Sequence, residues 1–160
     1  MSHFIKPVNV LTLLPLLLAV VFSPLVHAEA REQKVWVEVS SPGDGGQCQV
    51  STRFKGDHDN CKNDKAKGRA DCSKDTGCVC TRQEKHVSWK IDGKQSFAIV
   101  FDQGTANPFV TDGDSECNFK SNKKGQLRCR VKGKDVPRGD YRYSIVVPEC
   151  PSITSHIKVY

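Results

Sequence analysis

The chain has 160 residues, with 24 Lys and Arg against 18 Asp and Glu, for a net charge of +6. That excess is too dilute for a dedicated nucleic-acid binder. The length fits one domain once a leader is set aside.

The leader comes first. Met1 to Pro7 carries one formal charge, Lys6, and no acid. An apolar run from Val8 to Val21 follows, broken at Pro15, and then Ser23, Pro24 and the small-residue ending Val26-His27-Ala28. A basic start, a short apolar middle and an Ala-type cleavage site are the parts of a signal peptide. Cleavage is expected after Ala28, with Ala30 as the second choice. A spanning helix would need about 20 apolar residues, and this run is shorter. No Cys lies near the cut, against a lipid-modified leader. The predicted organisation is therefore a signal peptide at 1–28 and a single disulfide-rich domain at 29–160. Without Lys6, 23 basic side chains face 18 acidic ones, a net +5. The style of the leader and the lack of any Asn-x-Ser/Thr acceptor suggest a bacterial source, and hence a periplasmic or secreted protein.

Beyond the leader the dominant period is two. Val35, Val37 and Val39 share one face of the segment Lys34 to Val39. Cys48 to Phe54 and His86 to Ile91 alternate in the same way. Phe97 to Phe101 is apolar throughout and reads as a strand buried on both sides. Leu127, Cys129 and Val131 alternate with Arg128, Arg130 and Lys132. Tyr141, Tyr143, Ile145 and Val147 share a face, as do Ile157 and Val159. Turn chemistry separates these runs: Ser41 to Gly46, Pro137 to Asp140, and Asp92-Gly93, which resembles a hairpin signal between the Trp89 and Phe97 strands. Two stretches, Gly56 to Thr76 and Gln103 to Glu116, break the pattern and read as long loops. No segment has a helical period. Seven or eight short strands predict an all-β, disulfide-braced sandwich with Trp89, Phe97, Ile99, Phe101, Tyr143, Ile145 and Val147 in or near its core.

All eight Cys lie beyond the leader: Cys48, Cys61, Cys72, Cys78, Cys80, Cys117, Cys129 and Cys150. An even count in an exported chain reads as a disulfide framework, although spacing alone cannot choose among the pairings. One constraint is geometric. In an extended Cys78-Val79-Cys80 the two thiols point the same way, two strand steps apart, too far for an unstrained bridge. Each should pair elsewhere. Cys117 and Cys129 flank the turn-like stretch Ser121 to Gly125 and are the best single pairing.

From Lys85 onward the layout resembles small bacterial β-sandwich domains of cupredoxin-like or immunoglobulin-like type. The likeness rests on Val87-Ser88-Trp89-Lys90, Phe97 to Phe101, Pro137-x-Gly139-x-Tyr141-x-Tyr143 and the final strand from Ser155 to Tyr160. Copper proteins of this type take their metal from two His, one Cys and an axial Met, gathered largely on a late hairpin. Here that hairpin, Tyr141 to Cys150, holds neither His nor Met. The resemblance therefore implies the scaffold without the electron-transfer site.

Candidate chemistry is sparse. Cys61, Cys72, Cys78 and Cys80, with His58 nearby, could be drawn as a thiolate metal site, but the spacing matches zinc sites poorly and an oxidising compartment favours disulfides. Asp112, Asp114 and Glu116 alternate without the rest of a calcium loop and read as a solvated acidic stretch. His58, His86 and His156 stand beside no nucleophile motif, so no enzyme is expected and no cofactor is implied. Arg138-Gly139-Asp140 is explained by a strand-opening turn. The basic residues Arg128, Arg130, Lys132 and Lys134 form a stripe suited to an anionic partner such as a surface polysaccharide, phosphorylated lipid or nucleic acid, or else simply solvate an edge strand. The reading is a non-catalytic binding or accessory module with an anionic ligand or cell-envelope component as partner; the alternative is a periplasmic metal-handling protein using Cys and His.

Overall fold

The computed structural model describes residues 32–41, 46–54, 61, 72, 77–93, 95–104, 106–113 and 117–160. The leader, His58, Asp114, Glu116 and the charged residues of the 56–76 loop lie outside them. No helix among the described residues is long and apolar enough to cross a membrane.

Among the described residues eight strands form: β1 (Glu32–Ser40), β2 (Gln49–Phe54), β3 (Val79–Thr81), β4 (His86–Ile91), β5 (Ala98–Phe101), β6 (Gln126–Arg130), β7 (Gly139–Val146) and β8 (Ile153–Val159). They make two four-stranded sheets, ordered β2-β1-β4-β6 and β3-β8-β7-β5. The protein is thus an all-β, disulfide-braced sandwich. Most pairs are antiparallel, but β1 runs parallel to β4 and β3 parallel to β8.

The alternation in the sequence becomes the two faces of each sheet. Val35 and Val37 of β1, Val87, Trp89 and Ile91 of β4, and Leu127 and Cys129 of β6 turn inward from the first sheet. Tyr141, Tyr143 and Ile145 of β7 and Ile157 and Val159 of β8 meet them from the second, in one buried cluster. Trp89 lies at its centre, fully buried, with Phe109 and Tyr143 edge-on at 5.8 and 5.7 Å. An apolar interior must still satisfy its polar atoms. The Trp89 Nε1–H donates to the Tyr143 hydroxyl at 3.3 Å, and that hydroxyl donates to the Gly77 carbonyl at 2.9 Å. This chain of donors joins one sheet to the other. Nearer the surface the Tyr141 hydroxyl donates to the Pro137 carbonyl at 2.6 Å, closing the turn that opens β7.

Of the predicted core, all but Phe101 are buried; Phe101 is half-buried and packs on the cluster through Phe109 and Phe119. The turn before β6 forms as expected. The Asn122 side chain accepts from the amides of Lys124 and Gln126, and Gly125 closes the turn at φ 66°. A Cβ there would fall 2.7 Å from Ile91 Cγ2 and 2.8 Å from the Ile91 carbonyl, so only Gly fits.

Two expectations need correction. Asp92-Gly93 is not a hairpin turn. Both edges of β4 are taken, by β1 and β6, so the chain after Ile91 crosses to the other sheet, where β5 pairs with β7. Nor is β5 buried on both sides. Val100 is 49% exposed. β5 ends its sheet, and what covers its flank is backbone: Ile99 N donates to Phe119 O and Ser121 N to Phe97 O. That leaves one face of β5 open to solvent.

All eight Cys are bridged: Cys48–Cys150, Cys61–Cys80, Cys72–Cys78 and Cys117–Cys129. Cys78 and Cys80 pair elsewhere, as strand geometry requires, and Cys117 joins Cys129. The first bridge ties the start of β2 to the turn between β7 and β8, and so sheet to sheet.

Candidate ligand-binding face

The outer face of the first sheet gathers an unusual set of side chains. Residues opposite one another in neighbouring strands lie about 5 Å apart, so register fixes which side chains share a row. Three rows follow from the pairing of β1, β4 and β6. Glu32, His86 and Arg130 form the first; Lys34, Ser88 and Arg128 the second; Trp36, Lys90 and Gln126 the third, with Arg53 of β2 extending it beyond Trp36.

Ser88 is the small residue in the middle. With a cation on each side, it leaves a groove of about 280 Å³ lined by Glu32, Lys34, Trp36, Ser88, Lys90, Gln126 and Arg128, with Trp89 and Leu127 of the core at its floor. Its hydroxyl donates to the Gln33 carbonyl at 3.5 Å. Trp36 is half-buried and belongs to the solvent side of β1, since Val35 and Val37 point inward. The Lys34 ammonium sits 5.7 Å from the centre of its ring, a cation–π contact. The face thus offers an aromatic plane beside three positive charges.

The cations of the face as a whole are partly answered. Arg128 lies 3.5 Å from Glu32, Lys90 3.3 Å from Asp92 and Arg130 3.9 Å from Glu84, while Arg53 pairs with Glu38. Arg128 is 57% exposed and Glu32 30%. Surface pairs of this kind are worth roughly 0–1 kcal/mol. An incoming anion therefore competes with Glu32 for Arg128 at little cost.

His86 lies in the first row, and its acidity is shifted. Its burial, followed by Arg128 and then Arg130, holds the imidazole below its ordinary value of 6.5, with Glu32 opposing. The charged groups facing it come from both flanking strands: Glu32 from β1, Arg128 and Arg130 from β6. A lowered value in the folded state means that the unfolded chain binds the proton more readily. His86 therefore costs nothing above pH 6.5, and stability is lost as pH falls through its folded value. Urea unfolding between about pH 7 and pH 5, above the usual carboxylate range, should show this loss. In His86→Gln the slope should flatten; an unchanged slope would assign the loss to other groups.

The structure divides the predicted basic stripe. Arg128 and Arg130 stand on the outer face of β6, but the strand ends at Arg130. Val131 is then buried and bridges Phe109, Lys132 is half-buried with its amide donating to the Pro108 carbonyl, and Lys134 is exposed in the next turn. In place of Lys132 and Lys134, the fold sets Lys34, Trp36 and Lys90 beside Arg128. The signal for Trp36 was present in the sequence: an aromatic on the polar side of an alternating strand, two residues from a Lys.

The other candidates are dispersed. His156 accepts or donates at 3.2 Å with Asp140 on the opposite sheet's outer face. Gly139 and Asp140 of the Arg138-Gly139-Asp140 tripeptide already belong to β7, paired with Val159 and Lys158 of β8. Mononuclear copper is not matched by the late hairpin: Cys150 is bonded to Cys48, and no His or Met lies between Tyr141 and Cys150.

No protein-family model matches the sequence, and no curated protein matches it. Solved structures do resemble the fold, and they are cupredoxin-like. A reduced amicyanin mutant aligns with 13% identity over 52% of this chain and 69% of its own, with a TM-score of 0.34. A multicopper oxidase from Campylobacter jejuni aligns with 10% identity over 83% of this chain and 26% of its own, at 0.41. A multicopper oxidase from Aquifex aeolicus gives 8%, 82%, 27% and 0.38. The chain thus spans about a quarter of each oxidase.

Proposed function

We propose that this chain is an exported, non-catalytic binding module that holds an acidic glycan of the cell envelope on the outer face of its first sheet, in the periplasm or outside the cell. One observation carries the reading: Trp36 sits in register between Arg53 and Lys90, with the Lys34 ammonium against its ring and Arg128 across Ser88. An aromatic plane takes the apolar face of a sugar ring. Flanking ammonium and guanidinium groups take its carboxylate, sulfate or phosphate. The groove is open, which suits a polymer that passes through rather than a small molecule enclosed on all sides. Four bridges and a braced sandwich supply a rigid platform, so little ordering cost accompanies binding.

The test uses polygalacturonate as the acidic polymer and neutral dextran as its control. The chain has two Trp. Trp89 lies beneath the same groove, so the ligand-induced fluorescence change is assigned to Trp36 by its loss in Trp36→Phe. Polygalacturonate should change the emission and bind more weakly as salt rises, because exposed charges are screened. Lys34→Glu with Arg128→Glu should lower affinity by about tenfold or more, equivalent to about 1.4 kcal/mol, and flatten the salt dependence. Trp36→Ala should weaken binding while keeping the salt dependence, read by calorimetry. Equal binding of dextran, or full affinity in the charge-reversed protein, would defeat the reading.

A further inference from the structure

The second buried cluster of the protein is made of sulfur. Cys61, Cys72, Cys78 and Cys80 are each no more than 7% exposed and pack together beside β3, with half-buried Tyr160 against them. Two bridges share this space, Cys61–Cys80 and Cys72–Cys78. They are close neighbours. The Sγ atoms of Cys72 and Cys80, which are not bonded to each other, lie 3.7 Å apart. Those of Cys61, Cys72 and Cys80 all fall within 4.8 Å of one another. Cys78 carries the fourth sulfur, bonded to that of Cys72.

The Cys72–Cys80 separation is that of two thiolates on one tetrahedral ion, while the two bonded pairs would move apart on reduction. A Zn–S bond of about 2.3 Å places neighbouring sulfurs about 3.8 Å apart. The separations along the chain gave no such sign, because Cys61 and Cys72 lie in a long loop far from the Cys-x-Cys of β3. In the fold Cys61 and Cys72 lie beside β3, and the sulfurs come together. One aromatic ring packs against the cluster. Tyr160 closes one side, its amide donating to the Thr81 carbonyl at 3.1 Å, and the Arg82 guanidinium lies 5.1 Å from the Tyr160 ring centre.

We propose that these two bridges form a reducible pair whose opening creates a binding site for one soft d¹⁰ cation, with Zn²⁺ as its type. The reductant is a dithiol. Each bridge accepts two electrons and two protons by thiol–disulfide exchange, two dithiols become two disulfides, and four Cys thiols result. Binding Zn²⁺ then releases one proton from each thiol that becomes a ligand, up to four. The oxidised protein offers no thiolate here and holds no metal at this cluster. The site therefore exchanges two covalent cross-links for one ion, and the 61–80 loop stays tethered to β3 in either form.

The experiment is a cobalt titration of the folded protein, reduced anaerobically with a trialkylphosphine that is then removed. Co²⁺ alone is the probe, because tetrahedral cobalt thiolate shows intense sulfur-to-metal charge transfer. To keep the remaining thiols out of the readout, the titration is repeated in Cys117→Ser/Cys129→Ser and in Cys48→Ser/Cys150→Ser. The expected result is one Co²⁺ per chain in the reduced protein and in both of these variants, displaced by Zn²⁺, and none in the oxidised protein. Cys61→Ala/Cys80→Ala should abolish the band, and Cys78→Ala should weaken binding by about tenfold or more if four sulfurs coordinate. The proposal is overturned if the reduced protein binds no cobalt in tetrahedral thiolate form. Unfolding on reduction without metal uptake overturns it too, as does a band that survives in Cys61→Ala/Cys80→Ala.

Discussion

The variant Cys48→Ser/Cys150→Ser is expected to lose about 4–5 kcal/mol of unfolding free energy, the largest single loss available from the covalent framework. The bridge spans 102 residues, and in the chain-entropy picture the constraint on the unfolded state grows with the logarithm of the closed loop. The other bridges shorten the effective loop, because 61–80 and 117–129 act as shortcuts of 19 and 12 residues within it. The logarithm makes that correction small: a loop of roughly 70 residues in place of about 100 changes the figure by about 0.3 kcal/mol. Packing contributes little, since both sulfurs are at half-buried positions. The site therefore isolates the entropic effect better than Cys117–Cys129, whose two members are buried in the core. A typical domain has about 5–15 kcal/mol in total, so the variant should lie near the edge of folding at room temperature. Urea denaturation should show a lower midpoint together with a steeper slope, because the freed chain exposes more surface when unfolded. A loss below about 1 kcal/mol would mean that the native bridge is offset by strain or by residual structure in the unfolded chain.

Trp89→Ala should cost about 3–5 kcal/mol, by loss of buried apolar surface and the cavity left behind. Trp89 is fully buried between the sheets and touches two other rings edge-on. It also starts the donor chain that runs through the Tyr143 hydroxyl to the Gly77 carbonyl. Tyr143→Phe separates the two contributions. It keeps the ring and removes the acceptor of the indole N–H and the donor to Gly77, for an expected loss of about 1–3 kcal/mol. The Trp89 loss should be the greater of the two. The reverse order, measured by urea denaturation, would mean that the polar chain and not the ring packing holds the sheets together. Both variants leave Trp36 in place, so its fluorescence still reports whether the outer face has survived.

The groove and the sulfur cluster make separate demands on the molecule. The first sits on the outer face of β1, β4 and β6; the second lies beside β3, at the end of the other sheet. Loss of polyanion binding after charge reversal at Lys34 and Arg128 therefore says nothing about cobalt uptake, and the reverse holds as well.

Strand positions were legible in the sequence because the signal is local. Alternating Val35, Val37 and Val39, or Tyr141, Tyr143 and Ile145, states which side chains of a strand point inward, whatever that strand pairs with. The pairing of Cys117 with Cys129 was legible for the same reason, since the turn at Asn122 to Gly125 reverses the chain between them. Strand order was not. Nothing within His86 to Ile91 states that β1 will run parallel along one edge and β6 antiparallel along the other, or that Asp92-Gly93 will carry the chain into a second sheet. Those choices depend on which arrangement buries the most apolar surface among segments far apart in the chain. The candidate sites follow the same division. Arg128 could be marked as a cation on a polar face, but Lys34, Trp36 and Lys90 became its companions only once register set three strands side by side. Likewise eight cysteines in the sequence announced cross-links; that four of their sulfurs would share one buried space was decided only by the tertiary placement of Cys61 and Cys72 beside β3.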